Sequence, residues 1–339
     1  MIRFAWLPLA LLGAAAPQDP PDVGPNEPSE PMAREFSMDR GLQFLDDVSL
    51  QWQRERKCVT CHTNWSYLVT GASHAAKRPA YLEVRRFTED LVQKRWVEKG
   101  PRWDAEVVVA AAGLAISDAE GTRTLHPLTR KALDRMWMVQ KPDGGWNWLK
   151  CGWPPMESDD YYGVTVALLA TGRAPEGYAS TPAAVEGVRK AREYLAKNPP
   201  PSLHHQGMLF WASKYLGGLM SPEEQRKTVS DLLELQRPDG GWAIASFLPW
   251  KRSDGSEQET GVSDGYGTGF VIHLARLGGI APDDPRIGRG LQWLKTHQRA
   301  SGRWFSRSLL KDSKHFLSHS GTAFAILALQ ECSPGGEAR

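Results

Sequence analysis

The chain has 339 residues, with 41 Lys and Arg against 39 Asp and Glu and a formal net charge of +2. This length suits one large domain or two small ones, and the balanced charge argues against a nucleic-acid-binding surface. The 14 Trp are many for a chain of this length, so the fold has to provide repeated places for a large aromatic side chain.

The first 16 residues have the pattern of a secretory signal peptide. Arg3 gives a positive start, the apolar run from Phe4 to Leu12 is too short to span a bilayer, and Gly13 to Ala16 are small residues suited to cleavage. An uncleaved membrane anchor is the alternative. Both interpretations put the body of the protein outside the cytoplasm, so we expect an exported protein in the periplasm or another extracytoplasmic space.

Residues 17–37 form the next segment and are rich in Pro, Glu and Asp. Such a composition buries too little apolar surface to offset the entropy of ordering, so it predicts a disordered linker. From residue 38 to residue 332 we expect a single domain of helical repeats, and over residues 333–339 a disordered tail.

A short motif in the first repeat predicts a cofactor: Cys58-Val59-Thr60-Cys61-His62. C-x-x-C-H is the attachment signature of haem c, in which the two thiols form thioethers with the haem vinyl groups and the His is an axial iron ligand. The predicted cofactor is therefore haem c, bound by Cys58, Cys61 and His62. Zinc, a disulfide between the two cysteines, and free thiols are the alternatives.

A stretch of seven residues recurs along the chain and predicts a tight corner between helices. Its copies are Gln140-Lys141-Pro142-Asp143-Gly144-Gly145-Trp146, Gln236-Arg237-Pro238-Asp239-Gly240-Gly241-Trp242 and, degraded, Gln298-Arg299-Ala300-Ser301-Gly302-Arg303-Trp304. Pro presets φ, Asp bonds its own backbone, and Gly tolerates positive φ. The Gln can reach free backbone groups at a helix end, and the Trp is large enough to cover the corner.

Two kinds of helix-like segment alternate along the chain. One is amphipathic, with apolar residues at i, i+3 and i+4, and the other is apolar on most faces, which indicates a buried helix. Six segments of the second kind start near His62, Asp104, Asp160, His205, Asp264 and His319. Six helical hairpins at this spacing predict a closed double ring of inner and outer helices.

The corners resemble the QW repeat of squalene-hopene and oxidosqualene cyclases, whose fold is shared with protein prenyltransferase β subunits. The resemblance covers most of residues 38–332 and includes partial copies such as the run 40–45. It implies an all-α fold, the α/α toroid, with a central cavity for an isoprenoid-like or other apolar molecule. Because the motif is structural in these families, the resemblance leaves open whether the chain is an enzyme.

The starts of the six inner helices are expected to face one mouth of the ring. N-capping explains an Asp at such a start, but it explains His poorly, because His is not a favoured N-cap. The three His therefore predict a polar or metal-binding rim, with His62 and His319 as the main ligands and His205 and Asp264 as weaker ones. Ring closure sets the first and sixth inner helices side by side, which makes His319 the nearest second ligand for a haem on His62.

The catalytic marks of the squalene cyclases are missing. Those enzymes protonate an alkene with the middle Asp of a D-x-D-D motif, and the nearest acidic run here is Glu157-Ser158-Asp159-Asp160. Asp159, Asp160 and Asp264 are therefore only weak catalytic candidates. The cyclases also use two toroid-like domains with the site between them, whereas this chain has room for one.

The sequence motifs of two other toroid families are also incomplete or absent. Prenyltransferase β subunits bind zinc through Asp-x-Cys and a later His, and here Asp264 and His319 fall at comparable positions while Tyr266 replaces the Cys. The Cys-Gly-Glu-Gln motif of complement-like thioester domains is absent from the sequence.

Two classes of function follow from these patterns. In the first, the toroid binds an apolar small molecule in its centre, with or without cyclase-like chemistry. In the second, the same toroid carries haem c for redox chemistry or electron transfer. We expect no nucleic-acid partner and no membrane span in the mature chain, and the sequence does not define the oligomeric state. It also leaves open whether Cys151 and Cys332 form a bond.

Overall fold

The computed structural model describes residues 21–73, 78–247, 250–312 and 316–337. Over these ranges the regular secondary structure is helical, and the extended pairings are two isolated bridges, Met32 with Arg299 and Trp153 with Glu157. The prediction of an all-α fold is confirmed. The predicted signal peptide and residues 17–20 of the predicted linker lie outside the described residues.

Six outer helices alternate with six inner ones along the described chain. The outer helices are α1 (Met38–Arg56), α3 (Pro79–Asp90), α6 (Pro127–Met138), α8 (Pro182–Lys197), α10 (Pro222–Glu234) and α12 (Pro285–Thr296). Helix α3 continues through a π-helical turn (Leu91–Arg95) into the short α4 (Trp96–Glu98). Five of the outer helices begin with Pro, whose fixed φ and missing N–H suit the first position of a helix.

The inner helices are buried along almost their whole length. They are α2 (Asn64–Gly71), α5 (Asp104–Glu120), α7 (Asp160–Arg173), α9 (Leu203–Ser213), α11 (Gly265–Leu277) and α13 (Leu317–Glu331). Each contacts the next in this order, and α13 contacts α2 in turn, so the inner ring closes. The predicted α/α toroid of six hairpins is therefore confirmed, and α2 lies across the ring from α9.

Each corner ties one hairpin to the outer helix of the next. In the second copy, the Gln236 side-chain amide donates to the carbonyl of Gly240 at 2.8 Å and to that of Arg286 in α12 at 2.7 Å. The Trp242 indole is fully buried and donates back to Leu232 at 2.9 Å. The same two bonds of the Gln recur from Gln140 to Gly144 and Gly187, and from Gln298 to Gly302 and Ser37.

Glycine is required at one position of each corner. Gly240 has φ +92°, and a Cβ there would lie 2.9 Å from a backbone oxygen of α12. Gly144 and Gly302 have nearly the same φ and lie against the backbones of α8 and α1. The left-handed conformation and the close approach both exclude a side chain, so these glycines allow the corner to dock on the next helix.

The third corner closes the outer ring and also holds an N-terminal arm, residues 23–33. The Ala33 N–H donates to the carbonyl of Gln298 at 2.7 Å, and the Glu30 carboxylate lies 3.1 Å from the buried guanidinium of Arg303. The prediction of a disordered linker over 17–37 is therefore wrong for this arm. The arm has little apolar surface of its own, as expected. It supplies hydrogen-bond acceptors to Arg303, which stands where the other two corners have their second glycine.

Candidate functional site

The inner helices begin at one end of the ring, which we call the mouth, and the predicted His and Asp residues lie there. Asp104 and Asp160 are the first residues of α5 and α7, Asp264 is the N-cap of α11, and His205 and His319 lie in the first turns of α9 and α13. His62 comes two residues before the start of α2. The structure thus brings all the predicted site residues to one end of the toroid.

Asp264 caps a helix, and Asp160 holds the loop that leads into one. Asp264 is buried and accepts hydrogen bonds from the N–H groups of Gly267 at 2.9 Å and Ile244 at 2.8 Å. Burial raises the pKa of Asp264 to about 6, although these hydrogen bonds act in the opposite direction. Asp160 accepts from the N–H of Trp148 at 3.3 Å and pairs with Lys141 at 3.1 Å. These contacts give both residues a structural role.

His205 is held by two partners at the mouth. Its Nδ1 lies 2.7 Å from the Ser202 hydroxyl, and its Nε2 lies 3.0 Å from the Asp159 carboxylate. Burial raises the pKa of Asp159, but the hydrogen bond and charge of His205, together with hydrogen bonds from Tyr162 and Ser158, outweigh it, so the net shift is downward. The two ring nitrogens of His205 thus face Ser202 and Asp159 rather than His62.

A hydroxyl joins His62 to His319. The Thr63 Oγ1 lies 2.7 Å from Nδ1 of His62 and 3.0 Å from Nδ1 of His319. His62 is only 3% exposed, stacks on the ring of Phe316 at 4.5 Å and meets the edge of Trp52 at 4.6 Å. Burial, with His319 nearby, lowers the pKa of His62 well below its usual range, so this imidazole is neutral at pH 7.

Glu157 contacts the cysteine motif, and the sequence alone did not predict this contact. It comes from the mouth loop, residues 147–159, and its carboxyl oxygen lies 3.6 Å from Sγ of Cys61 and 3.7 Å from Nε2 of His62. Burial raises the pKa of both Glu157 and Cys61. The three groups form a buried cluster under the mouth loop.

The residues of the C-x-x-C-H motif, as folded, do not fit a haem. Cys58 and Cys61 are 4% and 2% exposed, and His62 is enclosed by aromatic rings. The cavity beside His62, bounded by Trp153 and Phe316, has a volume of about 20 Å³. Pockets for much smaller organic molecules than a haem measure about 300–1,000 Å³. A haem would have to displace the mouth loop and the rings that pack on His62.

The described residues contain no group of three or more His, Cys, Asp or Glu side chains arranged to hold a metal ion. The geometry therefore gives no support to the predicted metal site at His62 and His319, with His205 and Asp264 as further ligands. The four cysteines are thiols in this structure: Cys58 and Cys61 are buried, Cys332 is half-buried and Cys151 is exposed.

Aromatic side chains fill the centre of the toroid below the mouth. We call this set the axial core: Trp65, Tyr162, His204, Trp211, Tyr266, Phe270 and Phe324, all at most 4% exposed. Trp65 and Trp211 come from opposite inner helices, and their ring centroids lie 6.1 Å apart across the axis. The cavity left beside these two rings measures about 10 Å³, room for one water at most. The central cavity expected from the resemblance is thus filled by the chain's own side chains.

Several polar atoms of the axial core are buried without a hydrogen-bond partner. They are the hydroxyl of Tyr162, Nδ1 of His204 and the indole N–H groups of Trp65 and Trp211. The remaining nitrogen of His204 is paired, with Nε2 2.8 Å from the hydroxyl of Tyr266. Burial lowers the pKa of His204 well below its usual range, so the axial core is neutral as well as aromatic.

Comparison with solved structures shows the fold. The chain is 15% identical to ent-copalyl diphosphate synthase from Streptomyces platensis, with a TM-score of 0.50 over 78% of this chain and 50% of that one. It is 12% identical to the type II terpene cyclase MstE from Scytonema, with a TM-score of 0.48 over 87% of this chain and 99% of that one. No family model and no curated protein matches the sequence.

The chain has the α/α toroid of the terpene cyclases. This likeness concerns the fold alone, because sequence identity is low and the acidic run at 157–160 differs from the D-x-D-D motif. Among the described helices, none has the length and apolar character needed to cross a membrane.

Proposed function

We propose that the chain is an exported toroid protein that binds an isoprenoid-like apolar molecule in its axial core. The observation that carries the proposal is the convergence of aromatic rings and partnerless polar atoms on the ring axis. Tyr162, His204 and Trp211 come from two neighbouring inner helices and each leaves a buried polar atom without a partner. Such a lining suits a ligand that is mostly apolar and carries an oxygen function.

The energetics favour a ligand with a polar group over a pure hydrocarbon. A buried polar atom without a partner costs about 1–3 kcal/mol. A bound hydroxyl or carbonyl near Tyr162 and His204 would remove part of that cost, whereas the rings of Trp65 and Trp211 would contact the apolar remainder. The isoprenoid class itself comes from the resemblance of the corners to QW repeats.

The ligand has to open the axial core in order to enter it, because the cavity beside Trp65 and Trp211 is about 10 Å³. We expect entry from the mouth, where the mouth loop is attached through Glu157 and Met156, both buried. The contacts that close the inner ring join one inner helix to the next, so we expect the ring to stay closed when the mouth loop is displaced.

Photolabelling tests where the ligand binds. A diazirine derivative of geranylgeraniol, irradiated with the purified protein, should label peptides of α2 and α9, and unmodified geranylgeraniol should compete. Labelling confined to outer helices, or labelling that no competitor reduces, would overturn the proposal. Tryptophan fluorescence gives a second readout, since Trp65 and Trp211 lie at the proposed site.

Export rests on the leader pattern of residues 1–16. Expression of the full chain in a Gram-negative host, followed by fractionation and N-terminal sequencing, should recover it outside the cytoplasm with an N-terminus near residue 17. Recovery of the uncut chain from the cytoplasm would contradict export.

Haem c remains a prediction that rests on the motif alone, and zinc is the alternative cofactor. Covalent attachment would need Cys58 and Cys61 to be reached before the mouth loop covers them. Co-expression with a cytochrome c maturation system decides the matter: a Soret band with a covalent mass increase would establish haem. A colourless product of unmodified mass would exclude haem c, and the apolar-ligand proposal would then stand by itself.

A further inference from the structure

A larger cavity lies at the end of the toroid opposite the mouth, where the inner helices finish. It is a groove of about 390 Å³ between the end of α9, the side of α10 and the turn after α11. Its floor is apolar and comes from Phe210, Val229, Leu233 and Ile280. This volume falls in the range of small-molecule sites, whereas the cavities beside His62 and beside the Trp65 and Trp211 rings measure about 20 Å³ and 10 Å³.

The walls of the groove are cationic. Lys214, Arg226 and Arg286 line it, and among the described residues that line it there is no Asp or Glu. Arg286 is paired with Asp284 at 2.9 Å. Arg226 forms no ion pair with any described residue, and Lys214 lies over the ring of Phe210 at 5.7 Å from its centroid. At least two positive charges are therefore available to an anionic group.

A glycine keeps the groove open. Gly278 follows α11, and a Cβ on it would lie 2.9 Å from a methyl group of Val229. Any side chain at this position would press on the apolar floor. The groove therefore combines three properties of a binding site: an apolar floor, a cationic wall and a backbone that leaves the space between them empty.

We infer that this groove binds a small amphipathic anion, a carboxylate or phosphate on a short hydrocarbon chain. The chain would lie on Val229 and Leu233, where burial of methylene groups favours binding. The head would accept charge-assisted hydrogen bonds from Arg226 and Lys214, which are stronger than bonds between neutral groups. This site is separate from the axial core and does not depend on the function proposed for it.

Calorimetry with octyl phosphate tests the inference, with octanol and inorganic phosphate as probes of each half of the ligand. Octyl phosphate should bind one to one and more tightly than either probe, and the affinity should fall as salt is raised. Arg226→Gln should weaken binding about tenfold or more. The matched control is Lys227→Gln, which removes a charge from the same helix but from an exposed pair with Asp231.

A groove-filling variant and vesicles complete the test. Ser230→Trp places a ring in the groove from an exposed position and should abolish binding. The inference is overturned if thermal melting shows that the wild type and Arg226→Gln are both folded and their affinities for octyl phosphate are equal. So would binding to phosphatidylglycerol vesicles without binding of soluble octyl phosphate, since the surface would then recognise a membrane. Competition between octyl phosphate and the geranylgeraniol probe would also overturn it, because the sites are distinct.

Discussion

Trp65 and Trp211 meet across the axis of the toroid, 6.1 Å between ring centroids, although α2 and α9 stand on opposite sides of the inner ring. A hole through the ring would be costly, because side chains that line a void lose their packing partners. Large rings from facing helices remove that void. The same rings are what an apolar ligand would have to move.

Trp211→Ala should convert the filled axis into a cavity. Loss of a fully buried Trp should lower the free energy of unfolding by about 3–5 kcal/mol. Because the space for a ligand would then be preformed, the affinity for geranylgeraniol should rise relative to the wild type. Chemical denaturation and fluorescence titration measure the two effects.

The matched control is Trp242→Ala, since Trp242 is as buried as Trp211 but plugs a corner outside the axis. It should lose a similar amount of stability and gain no affinity. If the affinity for geranylgeraniol is unchanged in Trp211→Ala, or rises equally in both variants, the ligand does not bind at the axis.

Two tyrosines of the axial core differ by one hydrogen bond and should respond oppositely to the loss of their hydroxyl groups. Tyr162→Phe removes a buried hydroxyl that has no partner, so it should stabilise the ligand-free protein by about 1 kcal/mol. Tyr266→Phe removes the 2.8 Å partner of His204 and should destabilise the protein by about 1–3 kcal/mol. Thermal and urea denaturation of both variants, compared with the wild type, give the signs. A destabilising effect of Tyr162→Phe would show that the Tyr162 hydroxyl has a hydrogen-bond partner in solution.

The repeats made the ring predictable, because each corner uses local chemistry. Gln236, Gly240 and Trp242 act through bonds within the corner and to the adjoining helix, and three copies repeat the pattern. The starts of the buried helices could be predicted to within two residues for the same reason: His62 precedes α2, and Asp160 begins α7.

The contacts of the site were not predictable, because they join segments without periodicity. Glu157 meets Cys61 through a loop whose path has no repeat. The filling of the axis depends on which faces of α2 and α9 point inward, and a shift of one residue would separate Trp65 from Trp211. The N-terminal arm escaped prediction because its order comes from hydrogen bonds to the third corner and not from its own composition.

Asp264 should make the stability of the protein depend on pH. Its pKa in the folded protein is raised to about 6 by burial, above its ordinary value of 3.8. Folding thus favours the protonated form of Asp264. The stability that this group contributes to the folded protein is fully present below about pH 4 and is lost as the pH rises to about 6. A shift of about two units corresponds to about 3 kcal/mol. The difference in unfolding free energy between the wild type and Asp264→Asn should therefore change over this window.

Asp284→Asn provides the control with the opposite sign. A hydrogen bond from Arg286 lowers the pKa of Asp284 to about 2. Its contribution is present above about pH 4 and is lost as pH falls towards 2, so this variant should differ from the wild type by a constant amount between pH 4 and 7. If the Asp264→Asn difference is also constant over that range, Asp264 is ionised throughout and its burial is less complete than the structure shows.

Glu30 should stabilise the toroid from outside the repeat domain. The guanidinium of Arg303 is 3% exposed and has Glu30 at 3.1 Å as its carboxylate partner, with the Val23 carbonyl at 2.6 Å as a further acceptor. Glu30→Ala leaves a buried charge with weaker partners, so the free energy of unfolding should fall by about 3 kcal/mol. Glu27→Ala, an exposed change in the same arm, should have almost no effect.

Since the third corner carries an arginine where the other two have glycine, the double variant Glu30→Ala with Arg303→Gly should recover most of the loss. Urea denaturation of the four proteins measures the cycle, and additive effects of the two changes would mean that Glu30 and Arg303 act independently.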